Sequence, residues 1–313
     1  MIFSIVLPVF NVENYIERCL LSLKKQSYTN FEMIFVDDCG NDQSIKIVEK
    51  YAKGDARIRI VKNQSNLGTY HARRVGVSYA KGNYIVFLDP DDELEAETLC
   101  ILHQKTFDNP DVIFFGSRRV PASKFWQSKP EVPIFKEKEN NEKLILKIAK
   151  LRNLSKGTEG KAFNKEYLTQ AYSRLNVPDS VKLIYGEDKL LFFSTMSCLN
   201  KAVSVKERLY VYHKNETSIT VVNSIDSDRI RIDQLILVKN LVANFNSSCK
   251  RNMYFKKIIF NEITTDILRI KIFQDDTFVA KLMLYYNMVK RSKRTNDFLK
   301  LVVFFISSGR IVK

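Results

Sequence analysis

Residues 84–92 read Tyr84-Ile85-Val86-Phe87-Leu88-Asp89-Pro90-Asp91-Asp92, an unbroken apolar run that ends in a turn dominated by carboxylates. A strand that is apolar on both faces needs a covering layer on each side of its sheet. In sheets of that kind ligands bind beyond the carboxyl ends of the strands, where the acidic turn falls.

The segments around this run repeat its design. Ile2 to Leu7, Met33 to Val36, Ile58 to Val61 and Val112 to Phe115 are further predicted strands, short and rich in β-branched and aromatic residues. Between them, Val12, Ile16, Cys19, Leu20 and Leu23 mark one helical face, with Asn11 placed to cap its start. Ile45, Val48, Tyr51 and Ala52 repeat the spacing after Asp42, and a third helix is expected over Tyr70 to Ala80. Strands alternating with single helices predict an α/β fold: a Rossmann-like, mostly parallel sheet with helices on both faces.

Later segments differ. From about 121 to 160 the chain turns proline-bearing, then rich in lysine and glutamate, which predicts a linker or flap before a helix around Glu142 to Leu151. From Asp228 onward it reads as helical, in segments Ile230 to Val242, Phe255 to Phe273, Phe278 to Val289 and Asp297 to Ile306. Two domains are expected: a catalytic or binding domain over 1–224 and a basic helical region over 225–313.

The net charge of +15 belongs to the later part. Residues 1–120 carry 15 Lys+Arg against 16 Asp+Glu, residues 121–224 carry 18 against 11, and residues 225–313 carry 17 against 8. Charge alone does not choose among nucleic acid, anionic lipid and phosphorylated substrates, but no nucleic-acid motif accompanies it, so no nucleic-acid partner is expected. Cys19, Cys39, Cys100, Cys198 and Cys249 stand singly, with neither disulfide nor zinc spacing, which fits a reducing cytoplasm. Met1 to Val9 lacks the features of a signal peptide, and no apolar run reaches the roughly 18 residues that span a bilayer.

Three strand ends carry polar clusters: Pro8-Val9-Phe10-Asn11 after the first strand, Asp37 to Asp42 after the second and Asp89 to Asp92 after the fourth. In Asp89-Pro90-Asp91-Asp92, carboxylates one residue apart can point together into the crevice, holding a divalent cation against a diphosphate and contacting a ribose. The plainer alternative is a solvated acidic turn with Pro90 fixing the backbone. In Asp37-Asp38-Cys39-Gly40-Asn41-Asp42, Asp38 or Asp37 can accept the imide N–H of uracil, which cytosine lacks; here the alternative is a turn and helix cap. Asn66-Leu67-Gly68 puts a loop at a helix start with Arg73 and Arg74 one turn in, suited to uracil or a diphosphate, unless those arginines are surface charges.

Together these residues resemble the inverting family 2 glycosyltransferases of the GT-A fold. The resemblance covers about residues 3 to 220. It rests on Ser4-Ile5-Val6-Leu7-Pro8-Val9-Phe10-Asn11, on Val36-Asp37-Asp38 with Asp42 and Ser44, on Asn66-Leu67-Gly68 to Arg73, and on Asp89-Pro90-Asp91-Asp92 as the family's DxD motif. Phe163-Asn164-Lys165 is similar to the family's pre-helix motif, and Gly186-Glu187-Asp188 to its ED pair. Leu209-Tyr210-Val211-Tyr212-His213 with Ser218-Ile219-Thr220 is similar to the segment that closes over the diphosphate. His213 and Lys214 stand where the family usually has Arg or His.

That resemblance implies roles. Asp188 serves as general base, and Glu187 orients acceptor or base, or else caps the helix start. Pro8, Phe10, Asn11, Asp37, Asp38, Asn66, Gly68, Arg73, Asp89 and Asp91 contact the sugar nucleotide, Asp89 near the ribose. Mn²⁺ or Mg²⁺ is held by Asp91 with help from His213. The wording of the two acidic boxes is similar to that of bacterial lipooligosaccharide β-1,3-galactosyltransferases, implying UDP-galactose as donor and a glycan or lipid-linked glycan as acceptor. A GlcNAc or GalNAc transferase of the same family, or a non-catalytic nucleotide-binding member, is the alternative. Lys290-Arg291-Ser292-Lys293-Arg294 before the apolar run Phe298 to Ile306 suits an anionic inner-membrane face, giving a peripheral cytoplasmic enzyme; the competing reading is a packed helix or a homodimer contact.

Overall fold

The computed structural model describes residues 1–122, 147–148, 154–215, 225–245, 250–274, 281–284 and 286–287. The helix expected at Glu142 to Leu151, all but two of its residues, lies outside them, as do Ser218-Ile219-Thr220, Cys249, the 290–294 basic run and the 298–306 segment. Half of the expected Phe278 to Val289 helix is outside as well, and its described residues are helical.

The chain divides into two compact units, 1–215 and 216–313. In the first, strands and helices follow in the order β1 (Phe3–Val9), α1 (Ile16–Lys24), β2 (Phe31–Asp37), α2 (Ser44–Ala52), β3 (Ile58–Lys62), α3 (Thr69–Tyr79), β4 (Tyr84–Phe87), β5 (Glu93–Leu94), α4 (Thr98–His103), β6 (Val112–Val120), β7 (Lys161–Asn164), α5 (Lys165–Leu175), α6 (Glu187–Cys198) and β8 (Ala202–His213). In the second unit, α7 (Ile225–Ala243) and α8 (Lys250–Gln274) pack together, burying Leu235, Val238, Val242, Phe255, Ile259 and Ile263. No helix among the described residues is long and apolar enough to cross a membrane.

One eight-stranded sheet runs in the order β3-β2-β1-β4-β7-β6-β8-β5. Strands β3, β2, β1 and β4 are mutually parallel, and β6 runs parallel to β8. Two short strands, β7 and β5, enter antiparallel, so the sheet is mixed while remaining mostly parallel. Helix α5 starts directly at the end of β7, where the Asn164 side chain accepts the amide N–H of Tyr167 as an N-cap.

The two faces of β1 show why the helices fall where they do. Phe3, Ile5, Leu7 and Val9 face one core with Ile16, Cys19, Leu20 and Leu23 of α1, Val48 of α2, and Leu99 and Leu102 of α4. Val6 faces the other way, toward α3: a Cβ on Gly76 would meet Val6 Cγ1 at 2.3 Å and Val36 Cγ2 at 3.1 Å. Gly76 therefore brings α3 close onto the sheet.

Two expectations need correction. Strand β1 continues through Pro8 and Val9 instead of ending at Leu7. Val6 O accepts from Leu88 N and Val9 O from Asp38 N, so Pro8 turns toward β4, which has already ended, and its missing N–H leaves no ladder bond unmade. Asn11 does not cap α1, whose N-cap is Tyr15. Instead Asn11 adopts a left-handed conformation (φ 53°) and its Oδ1 accepts from Asn41 N at 2.8 Å, joining the loop after β1 to the loop after β2.

Candidate active site

The sheet order places β1 and β4 side by side although β2, β3 and their helices intervene in sequence. The loops after the two strands therefore leave in opposite directions and open a crevice, the usual binding place in such sheets. Phe10 stands at its edge, 43% exposed, and Pro8 is half-buried beneath.

Asp38 is buried, and both of its oxygens are engaged. Oδ1 accepts from Asn63 Nδ2 at 2.8 Å and Leu67 N at 2.9 Å, while Oδ2 accepts from Gly68 N at 2.9 Å. It thereby shapes the loop that carries half-buried Asn66. Asp37 Oδ1 accepts from Cys39 N at 3.0 Å, an Asx turn of the kind the plainer sequence reading anticipated. Gly68 holds φ 85°, and a Cβ there would meet Ile184 Cγ2 at 2.8 Å and Leu183 O at 3.0 Å. Tyr70 N donates to the same Leu183 O, so this loop interlocks with the segment leading to Gly186-Glu187-Asp188.

Arg73, buried one turn into α3, makes the next link. Nη2 donates to Asp89 Oδ1 at 2.8 Å and Nη1 to Glu187 Oε1 at 3.1 Å, and the guanidinium carbon lies 5.8 Å from the centre of the Phe87 ring. Burial alone would weaken its charge, but Asp89 and Glu187 outweigh burial and raise its pKa. Its neighbour Arg74 is more exposed and pairs with Asp179. Glu187 opens α6 behind the left-handed Gly186, and burial with repulsion from Asp188 lifts its carboxyl to about 7. Asp188 beside it is half-buried, its Oδ1 accepting from Lys189 N at 2.7 Å. One helix thus gathers all three acidic turns: the loop that leads into it is tied to Asp38, and its buried arginine holds Asp89 and Glu187.

The turn after β4 is closed from the other side by β8. Asp92 accepts from Tyr210 OH at 2.7 Å and from His213 N at 2.8 Å, and Tyr210 OH accepts from Asp89 N at 3.3 Å. Asp91 Oδ2 accepts from Asn215 Nδ2 at 2.8 Å. His213 reaches the same turn, but its Nε2 lies 2.6 Å from Glu93 Oε1, which also pairs with Arg18. Asp91 and His213, expected from sequence as joint metal ligands, thus both stand at the same turn, with the imidazole beside Glu93.

Among the described residues no group of three or more His, Cys, Asp or Glu side chains is arranged to hold a metal on its own. The donor chemistry still fits a hard divalent cation bound by one or two carboxylates plus substrate phosphates, the habit of Mg²⁺. Burial, then repulsion from Asp89, raises Asp91; burial, then Asp89 and Asp91, lifts Asp92 to about 8. Such crowding of negative charge is relieved by a bound cation.

A stability consequence follows for Asp92. Because its folded pKa is raised, its contribution is fully present below its unfolded pKa of roughly 4 and is lost as pH rises through about 8. In chelator-containing buffer, the unfolding midpoint should drop between about pH 5.5 and about pH 8.5, and Asp92→Asn should flatten that drop. Thermal melts at both pH values check it; equal drops in the two proteins contradict it.

Nothing local in the sequence marks Arg18, Asn215 or Lys161, or pairs Tyr210 with Asp92. Tyr210 carried one available signal, as a polar-tipped residue between the apolar Leu209 and Val211 of a strand that ends beside the acidic turn.

A model of glycosyl transferase family 2 matches residues 4–168. The chain belongs to glycosyl transferase family 2. Relatives include the glycosyltransferase EpsJ of Bacillus subtilis, 29% identical over 222 residues, covering 69% of this chain and 62% of EpsJ. EpsH of the same organism is 30% identical over 226 residues, with the same coverage of 69% and 62%. The poly(ribitol-phosphate) β-N-acetylglucosaminyltransferase TarS of Staphylococcus aureus is 35% identical over 141 residues, 42% of this chain and 24% of TarS. The chain spans less than two thirds of EpsJ and 31% of GlyA of Streptococcus pneumoniae.

In structure, S. aureus TarS 1–349 in complex with UDP-GlcNAc aligns with a TM-score of 0.64 at 19% identity, covering 98% of this chain and 92% of that one. The mannosyltransferase PcManGT of Pyrobaculum calidifontis, in complex with GDP-Man and Mn²⁺, aligns at 0.55 and 15% identity, with 98% and 88% covered. The mixed sheet flanked by helices is the GT-A architecture, with a helical C-terminal region after it. The expected α/β fold class stands, and so does membership of family 2; the finer likeness to lipooligosaccharide β-1,3-galactosyltransferases is not carried by these relatives.

Proposed function

We propose that this family 2 glycosyltransferase is an inverting enzyme that takes its sugar from a UDP-sugar and depends on Mn²⁺ or Mg²⁺. The supporting observation is the convergence on α3: Gly68 bonded to Asp38, and Arg73 bonded to both Asp89 and Glu187. Phe10 and Pro8 line the base side, with the Asp37–Asp38 turn and the loop of Asn66 and Gly68 around uracil. Asn11 fixes the adjoining turn, and Asp89 lies toward the ribose.

On the acceptor side, Asp188 takes the proton from the attacking hydroxyl as the new bond to the anomeric carbon forms and the bond to the diphosphate breaks. Glu187, anchored by Arg73, orients that base. Asp91 would hold the cation, with His213 alongside, and when bound the cation supplies positive charge to the departing diphosphate. Arg73 keeps Asp89 in place and removes part of the acidic repulsion around it.

Two donors are in contention. The wording of the acidic boxes favours UDP-galactose and β-1,3 transfer to a bacterial surface glycan, whereas similarity to TarS, a β-N-acetylglucosaminyltransferase, favours UDP-GlcNAc. UDP release from a panel of UDP-galactose, UDP-GlcNAc, UDP-GalNAc and UDP-glucose, with and without Mn²⁺, separates them. One donor should dominate and should require the cation; no release from any UDP-sugar, with GDP-mannose accepted instead, overturns the reading. The basic region 225–313 is proposed to bring the enzyme to an anionic cytoplasmic membrane face carrying a lipid-linked acceptor, or else to pair two copies.

A further inference from the structure

The segment 179–187, which leads into α6, lies across the first turns of α3 and is gripped there at Asp179, Val181, Leu183 and Glu187. Arg74 pairs with Asp179, His71 Nε2 lies 2.9 Å from Val181 O, Tyr70 N donates to Leu183 O at 3.2 Å, and Arg73 Nη1 donates to Glu187 Oε1 at 3.1 Å. Residues 181 to 184 belong to no helix or strand, so no ladder sets where this stretch runs. The four links are unequal. Arg74 and Asp179 form an exposed pair, and such pairs add little. Tyr70 contributes only its backbone N–H, which any residue but proline would supply. Arg73 grips α6 itself. Of the four, His71 is the buried side chain, 1% exposed, that holds the stretch ahead of Gly186.

A carbonyl only accepts, so Nε2 carries the proton and donates to Val181 O, and Nδ1 of the neutral ring is left as an acceptor. Nδ1 is buried without a hydrogen-bond partner among the described residues, 3.9 Å from Asp179 Oδ1. Burial holds the imidazole below its ordinary pKa, which favours this neutral form. The ring also packs edge-on to Tyr70, with centroids 5.1 Å apart. A leucine would pack there without burying an unpaired nitrogen, so the imidazole is placed for one bond, and that bond ends on the segment that carries Glu187 and Asp188. We propose that His71 is a positioning residue for the Glu187–Asp188 pair: its bond to Val181 O fixes the segment from which α6 starts, while Arg73 fixes Glu187 directly. The loop of Leu67 and Gly68 is held independently, by Asp38. This rests on the reading that Asp188 is the base.

Two amide substitutions separate reach from polarity. In His71→Gln the amide nitrogen falls near the position of Nε2 and can still donate to Val181 O, whereas in His71→Asn it stops near Nδ1 and cannot. UDP release from the donor that the wild type turns over, with water as acceptor, is measured in the full chain beside donor KM, calorimetric UDP affinity and a thermal melt of each variant. His71→Asn should lower kcat by about tenfold, the scale on which a small misplacement of a reacting group acts, with donor KM and UDP affinity within about twofold. His71→Gln should stay within about threefold of the wild-type kcat. His71→Leu fills the site without a polar atom and serves if the asparagine variant fails to fold; it should show the same selective loss. A histidine that only holds the fold is indicated, and the proposal overturned, by any of three results: His71→Asn, or His71→Leu in its place, folds and keeps the wild-type kcat; kcat, KM and UDP affinity worsen together; or His71→Gln loses as much as His71→Asn. Asp188→Asn run beside them keeps the two readings apart: normal turnover there sinks the base assignment and this proposal with it, whereas lost turnover there with an unaltered His71→Asn rate sinks this proposal alone.

Discussion

Asp188→Asn is expected to leave the chain folded, keep UDP affinity within about twofold and lower turnover on the order of 10² to 10⁴-fold, the usual cost of removing a positioned base. The asparagine is nearly isosteric, and its Oδ1 can still accept from Lys189 N, the bond that the aspartate makes at 2.7 Å. Glu187 and Arg73 do not depend on it, since their link runs through Nη1 and Oε1. What disappears is a charged acceptor for the proton. Glu187 is a poor substitute: one of its oxygens is held by the guanidinium. Initial rates with saturating donor check the expectation, and near-normal turnover by the variant would refute the base assignment.

Asp91→Asn should be the second large loss. The turn after β4 concentrates Asp89, Asp91, Asp92 and Glu93 at one point, and of these Asp89 is committed to Arg73, Asp92 to Tyr210 and His213, and Glu93 to Arg18 and His213. Among the described residues Asp91 is left with a single side-chain bond, from Asn215 on its Oδ2, which leaves Oδ1 available for a cation. Losing that ligand should cost about 3 kcal/mol of leaving-group stabilisation, on the order of 10²-fold in rate, and should abolish stimulation by Mn²⁺. A rate curve against Mn²⁺ concentration decides it: an unchanged curve means that Asp91 is not the metal ligand.

Much of the half of the sheet built on β1 to β4 was legible in the sequence because its signals are local. An apolar run followed by a carboxylate turn survives any tertiary context, and β1, β2, β3, β4 and β6 all fall on their expected segments. What escaped notice depended on distant partners. Strand β8 alternates at Val203 and Val205, loses its pattern through exposed Lys206, Glu207 and Arg208, and resumes at Leu209, so periodicity alone does not mark it as one strand. Strands β7 and β5 have four and two residues and exist only because neighbouring strands pair with them.

The site shows the same division. Asp38 could be recognised as an acidic strand end, but its role in holding the Leu67-Gly68 backbone is fixed by a loop 29 and 30 residues away. Arg73 reads as a phosphate-binding or surface charge until Glu187, 114 residues on, is seen beside it. Lys161 gives no sign in sequence of being buried at all.

The central claim is that the turns at Asp38, Asp91 and Asp188, assembled around α3, form one site for a sugar nucleotide and its cation. Calorimetric titration of the full chain with UDP, with and without Mn²⁺, tests it most directly. A single binding event per chain, tightened by Mn²⁺, is the expected result; the absence of UDP binding under both conditions would contradict a shared site.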